Sequence, residues 1–160
     1  MVLSHLIKSD SVLCNAQARS KKHCLEILSE LLAQNNPDIA NEEIFSRLIE
    51  RERLGCTSLE QGMAFPHCRV NGVRNSTGAL MKLSEPVYFE SPDGQPVDLV
   101  FGVMVPDKLD ASHYADIELL TTFLTEDPLR ARLRSATSSS ELYDALMAGQ
   151  YEPAVAHESG

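Results

Sequence analysis

Basic residues are in short supply. The chain carries 14 Lys and Arg against 23 Asp and Glu, a net charge of −9 with histidine neutral. Nucleic acid is thereby disfavoured as a main partner, because neutralising phosphates takes a basic surface. The same balance favours solubility and attraction to basic proteins. Long apolar runs are also missing. None approaches the ~18 residues of a membrane span, and the opening MVLSHLIKSDSVL lacks the apolar block of an export signal. A cytoplasmic chain without membrane insertion is expected. Its cysteines, Cys14, Cys24, Cys56 and Cys68, then read as reduced thiols, each most simply a small buried hydrophobe. No CxxC or HxxxH spacing occurs, so there is no zinc motif. Repeats, low-complexity blocks and an internal boundary are absent too. One domain is expected over residues 1–150, followed by a flexible tail over 151–160. With 160 residues, 43% of them hydrophobic, the chain is long enough for a single core.

What is present has a clear order. SKKHCLEILSELLAQ places Cys24, Leu25, Ile27, Leu28, Leu31 and Leu32 on one helical face, with Ser20 as its N-cap. NNPD breaks this helix. Asn41 is the expected cap of a second helix, EEIFSRLIERERL, which buries Ile44, Phe45, Leu48 and Ile49 and ends near Gly55. GMAF, TGALMKL and PVDLVFGVMVP are short apolar runs between turn formers and read as strands. The last is apolar almost throughout, as a strand covered on both faces would be. SPDGQ is a turn. A helix from Ser112 is expected to bury Ile117, Leu120, Phe123 and Leu124. Asp127-Pro128 opens another as cap and first residue, and a capping box of Ser138 with Glu141 opens a third. Helices, strands and helices again predict an α/β fold: a mixed sheet with helices on both faces.

The chemistry gathers at GMAFPHC. Proline fixes φ and lacks an N–H, so it is expected to end the strand and to present His67 there in a defined direction. A histidine so held suits a nucleophile or a metal ligand, although a partly exposed residue without a role fits the same stretch. Arg51, in RERLG, can clamp a phosphate with its planar fork; it also suits a solvated helix end. His113 follows the strand ending in VMVP, at a helix start where α/β sheets place ligands. If the two strands are neighbours, the histidines can meet.

Taken together, RERLGCTSLEQGMAFPHC, FESPDGQPVDLVFGVMVP, SHYADIELLTTFL and LRARLRSATSSSELYDAL resemble the IIA components of the bacterial phosphotransferase system. The class is that of fructose and mannitol, and within it the nitrogen-related enzyme IIA-Ntr. The resemblance spans residues 3–148. It implies a mixed sheet with helices on both faces, and phosphotransferase activity without metal or organic cofactor. It further implies that His67 is phosphorylated at Nε2, that Arg51 holds the phosphoryl group and that His113 supports it. The implied donor is a small histidine phosphocarrier, HPr or its nitrogen-branch counterpart NPr. Thr57 is a further candidate for a phosphate contact.

Three positions depart from the pattern. Phe65 stands where an aliphatic residue is usual in the family, Cys68 where glycine is common, and Cys56 where serine is. Cys68 could alter backbone freedom beside His67 or sensitise the site to oxidation. No IIB or membrane portion follows the last helix, so a regulator acting on target proteins is expected. The alternative is a transport IIA that passes phosphate to a IIB domain. A binding module that has lost transfer, and a thiol or metal site of His67, Cys68, Cys56 and His113, are further readings.

Overall fold

The computed structural model describes residues 3–108 and 110–149. The tail expected over 151–160 lies outside the described residues. Among these residues, five strands form one mixed sheet: β1 (Val12–Ala16), β2 (Met63–Ala64), β3 (His67–Val70), β4 (Thr77–Val87) and β5 (Val97–Pro106). β4 and β5 are antiparallel at its centre. β1 runs parallel to β4, while β2 and β3 run parallel to β5 on the other edge.

One face of the sheet carries α2 (Lys21–Ala33) and α3 (Asn41–Leu54). The other carries α1 (Leu3–Leu6), α4 (Ala111–Leu124), α5 (Asp127–Ser135) and α6 (Ser139–Gly149). Alternation along β5 divides the core. Leu99, Phe101, Val103 and Val105 pack towards the α4 side, and Val100 and Met104 towards the α2 side. This is why β5 reads as an unbroken apolar run. Gly102 within it marks a close approach: a Cβ there would lie 2.5 Å from the Leu28 side chain.

The helices lie where their periodicity puts them, with shifts at their ends. Ser20 caps α2 as expected, its hydroxyl accepting from His23 N–H at 3.1 Å. Asn41 is not a cap. Ala40 holds that position without a side-chain bond, and Asn41 is the first helical residue. α4 starts one residue before Ser112, because Asp110 accepts from both Ser112 and His113 N–H. In α5 the cap is Glu126, so Asp127 and Pro128 both lie inside the helix. Ser138 does accept from Glu141 N–H (3.1 Å), but the Glu141 carboxylate accepts from Thr137 Oγ1 at 3.0 Å. Ile27, Phe45, Ile49 and Ile117 are only partly buried at the rims of the two core halves.

β1 has no counterpart in the sequence reading. It is five residues long, and Asn15 within it adopts a φ of 59° where the register with β4 shifts. A bulge of this kind spoils the alternation by which strands are recognised.

Candidate active site

Pro66 does not end a strand. Met63 pairs with Leu99 and His67 with Val103 in the same register, so β2 and β3 are one edge line interrupted at Phe65 and Pro66. Proline is tolerated there because an edge strand leaves alternate N–H groups unpaired. Its carbonyl still accepts from Val103 N–H at 3.0 Å. His67 therefore opens the second segment, anchored on both sides by the central strand.

The ring of His67 is fixed from two directions. Nδ1 lies 2.9 Å from Phe65 O. A carbonyl can only accept, so the hydrogen sits on Nδ1 and a neutral ring leaves its Nε2 lone pair free. Phe65, itself buried against Phe101, holds the imidazole with ring centroids 5.1 Å apart. The aromatic departure at residue 65 thus braces the histidine. Burial holds the His67 pKa below its ordinary value; the Phe65 carbonyl opposes this, and the Arg51 charge adds to the lowering. The neutral, nucleophilic form is the one favoured near pH 7.

His67 and Arg51 line one cleft of about 570 Å³, together with Leu54, Arg69, Asp107 and Tyr114. Arg51 reaches it from the last turn of α3, where its Nη1 donates to Gly55 O at 3.1 Å. That bond caps the helix end, and among the described residues no carboxylate pairs with the Arg51 charge. His113 lines the adjoining cleft, of about 560 Å³; Val105 and Ile117 line both. Asp110 holds His113 at Nδ1, which lies 3.3 Å from the Asp110 N–H and 3.0 Å from its carboxylate. Arg51 thus faces the cleft of His67 as a donor, His113 lies in the adjoining cleft, and His67 offers a lone pair.

Thr57 is placed differently from the sequence expectation. It is buried, does not line either cleft, and donates its hydroxyl to Glu52 Oε1. Glu52 is also paired with Lys21 at 2.8 Å. Thr57 therefore orders a carboxylate beneath the site, and its hydroxyl is not free for a phosphate. Cys68 points to the opposite face of β3 and is buried, and burial pushes its thiol pKa up to about 12. Such a thiol is unreactive, so oxidation sensitivity at Cys68 has no support. Its φ is negative, so glycine-like freedom is not used at this position. Arg69 and Tyr114 were not foreseen as cleft residues. The alternation His67-x-Arg69 would have pointed to Arg69, had the strand been seen to resume after proline.

The fold is a mixed-sheet α/β domain with a histidine in a cleft at its sheet edge. The chain matches the family described as "Phosphoenolpyruvate-dependent sugar phosphotransferase system, EIIA 2" over residues 5–148, and it belongs to that family. It is 36% identical over 141 residues to the nitrogen regulatory protein of Pseudomonas aeruginosa, covering 88% of this chain and 92% of that one. It is 34% identical over 148 residues to the 2-O-alpha-mannosyl-D-glycerate-specific EIIABC component of Escherichia coli, covering 91% of this chain but 22% of that one. Among solved structures, nitrogen regulatory protein IIA-Ntr from Neisseria meningitidis superposes with a TM-score of 0.82 at 30% identity, over 90% of this chain and 98% of that one. The chain is thus an EIIA-type phosphocarrier, a phosphotransferase homologous to the IIA-Ntr proteins. Among the described residues, no helix is long and apolar enough to cross a membrane.

Proposed function

We propose that His67 takes a phosphoryl group on Nε2 from an HPr- or NPr-like phosphocarrier, and that its phosphorylation state governs binding to regulatory target proteins. The observation that carries the reading is the Phe65 carbonyl on Nδ1, which leaves Nε2 as the only free nucleophile of the ring. Transfer then depends on positioning and on donors around the phosphoryl oxygens. Arg51 supplies charge and His113 a hydrogen bond. Residues 1–150 act as the phosphocarrier domain.

Incubation with phosphoenolpyruvate and the donor system should add the mass of one phosphoryl group, and His67→Ala should abolish it. A His67→Ala chain that gains phosphate as readily as wild type refutes the assignment.

The similarity to an EIIABC component supports a second reading, a IIA domain that hands its phosphate to a IIB domain. Efficient transfer to a sugar-specific IIB would favour it. Failure of that transfer, together with target binding that changes on phosphorylation, would favour regulation.

A further inference from the structure

Arg69 is the cation that the site's assigned roles leave over. As alternate residues, His67 and Arg69 share one face of β3, and both line the same cleft. Arg69 Nη2 donates to Tyr114 Oη at 3.2 Å. No carboxylate pairs with it among the described residues, although Asp107 lines the same cleft. Arg47 on the neighbouring helix differs, because its guanidinium is already engaged by Glu43 and Glu50.

A neutral hydroxyl is a weak partner for a guanidinium. A phosphoryl group instead offers an ionised acceptor whose oxygens the planar fork can grip in pairs. Tyr114 is 51% exposed, so its hydroxyl returns to water at little cost once released. A phosphoryl group brings three strong acceptor oxygens, more than Arg51 alone satisfies.

We propose that Arg69 is a second guanidinium ligand for the phosphoryl group on His67, held on the Tyr114 hydroxyl until that group arrives. The proposal rests on His67 as phosphoacceptor. In the transfer, the Nε2 lone pair attacks phosphorus. The P–N bond of the donor's phosphohistidine breaks, and its electron pair returns to the donor nitrogen. The hydrogen stays on Nδ1, donated to Phe65 O, so no proton has to leave His67. Arg69 then exchanges Tyr114 for a phosphoryl oxygen, and the freed, exposed Tyr114 alters the cleft mouth that a partner meets.

The test uses the full chain with Arg69→Gln, Arg69→Lys and Tyr114→Phe, each phosphorylated by phosphoenolpyruvate and an HPr-like donor system and followed by intact mass. Arg69→Gln should lower the equilibrium ratio of phosphorylated to free chain about tenfold, equivalent to about 1.4 kcal/mol. Arg69→Lys should recover part of the loss, because it restores charge without the fork. Tyr114→Phe should sit at or above the wild-type ratio, since the guanidinium then leaves no partner behind. A wild-type ratio in Arg69→Gln overturns the proposal. So does a slower approach to an unchanged ratio, which would make Arg69 a docking residue for the donor. A lowered ratio in Tyr114→Phe also overturns it. Phosphate on His67→Ala would refute the parent reading instead, so the two failures are distinguishable.

Discussion

Two pairs of arginines face opposite tasks in this molecule. Arg130 of α5 has all three nitrogens committed, and Arg134 has two. Arg130, only 4% exposed, donates to Leu124 O, Gln61 Oε1 and Leu59 O. Arg134 grips Asp98 through Nε and Nη2 and donates to Gln61 O at 2.6 Å. Together they pin Glu60, Gln61 and Gly62, three successive residues with φ of 66°, 53° and 84°. For the first two this left-handed backbone is unfavourable and must be held by its surroundings. The turn feeds directly into β2. Arg51 and Arg69, by contrast, hold one carbonyl and one hydroxyl and stay at a cleft mouth. The difference teaches that an arginine's partners, more than its identity, separate scaffold from site. Cations saturated with acceptors fix the backbone; cations on neutral, exchangeable partners keep their charge for a ligand.

The largest expected effect lies on the scaffold side. Arg130→Met should destabilise the fold by about 3 kcal/mol, because it strips buried acceptors of a charged donor. Urea denaturation measures this; a loss within 0.5 kcal/mol, roughly the scatter of ordinary surface changes, would break the comparison. Next comes Arg51→Gln, which should slow phosphoryl transfer about 10²-fold, as loss of a preorganised donor does, while urea stability stays near wild type. An equal loss of stability would place Arg51 with the scaffold arginines. Arg134→Gln is expected to cost about 1 kcal/mol, since its ion pair with Asp98 is partly exposed.

The smallest effect is on titration. Burial and the Arg51 charge, opposed by the Phe65 carbonyl and Glu52, hold His67 below its ordinary 6.5. In the window between the lowered folded value and the ordinary one, the unfolded chain binds more protons than the folded one. Folding stability therefore falls as pH drops through that window, and is fully present above it. His67→Asn should flatten this slope in urea titrations at stepped pH. Arg51→Gln should raise the His67 titration midpoint seen by NMR, because it removes a lowering charge, whereas Arg130→Met should leave it unmoved.

Much of the fold was legible because its signals are local. The 3.6-residue period marked α2, α3 and α4, and the unbroken apolar run of β5 announced a central strand. Helix starts lie one residue earlier than expected at Asn41, Ser112 and Asp127; Asp110 caps with its side chain, whereas Ala40 and Glu126 do not. β1 was hidden by its bulge at Asn15, and β3 by the reading of Pro66 as a terminus. In the site, His67, Arg51 and His113 were named from motif and resemblance. Structure brings His67 and Arg51 into one cleft and sets His113 in the adjoining one. Thr57 was misplaced because a hydroxyl's partner is a tertiary fact, here Glu52.

The sequence by itself determined the class of fold, the family and the histidine that stands apart, because periodicity, turn residues and ordered motifs are carried by near neighbours along the chain. Only the tertiary structure decided which nitrogen of His67 is free, which arginines remain without carboxylates and where Tyr114 meets Arg69. Those depend on pairing β3 to β5 in one register and laying α4 across the same sheet face. Contacts between residues 45 positions apart are set by that packing, and no local pattern encodes them.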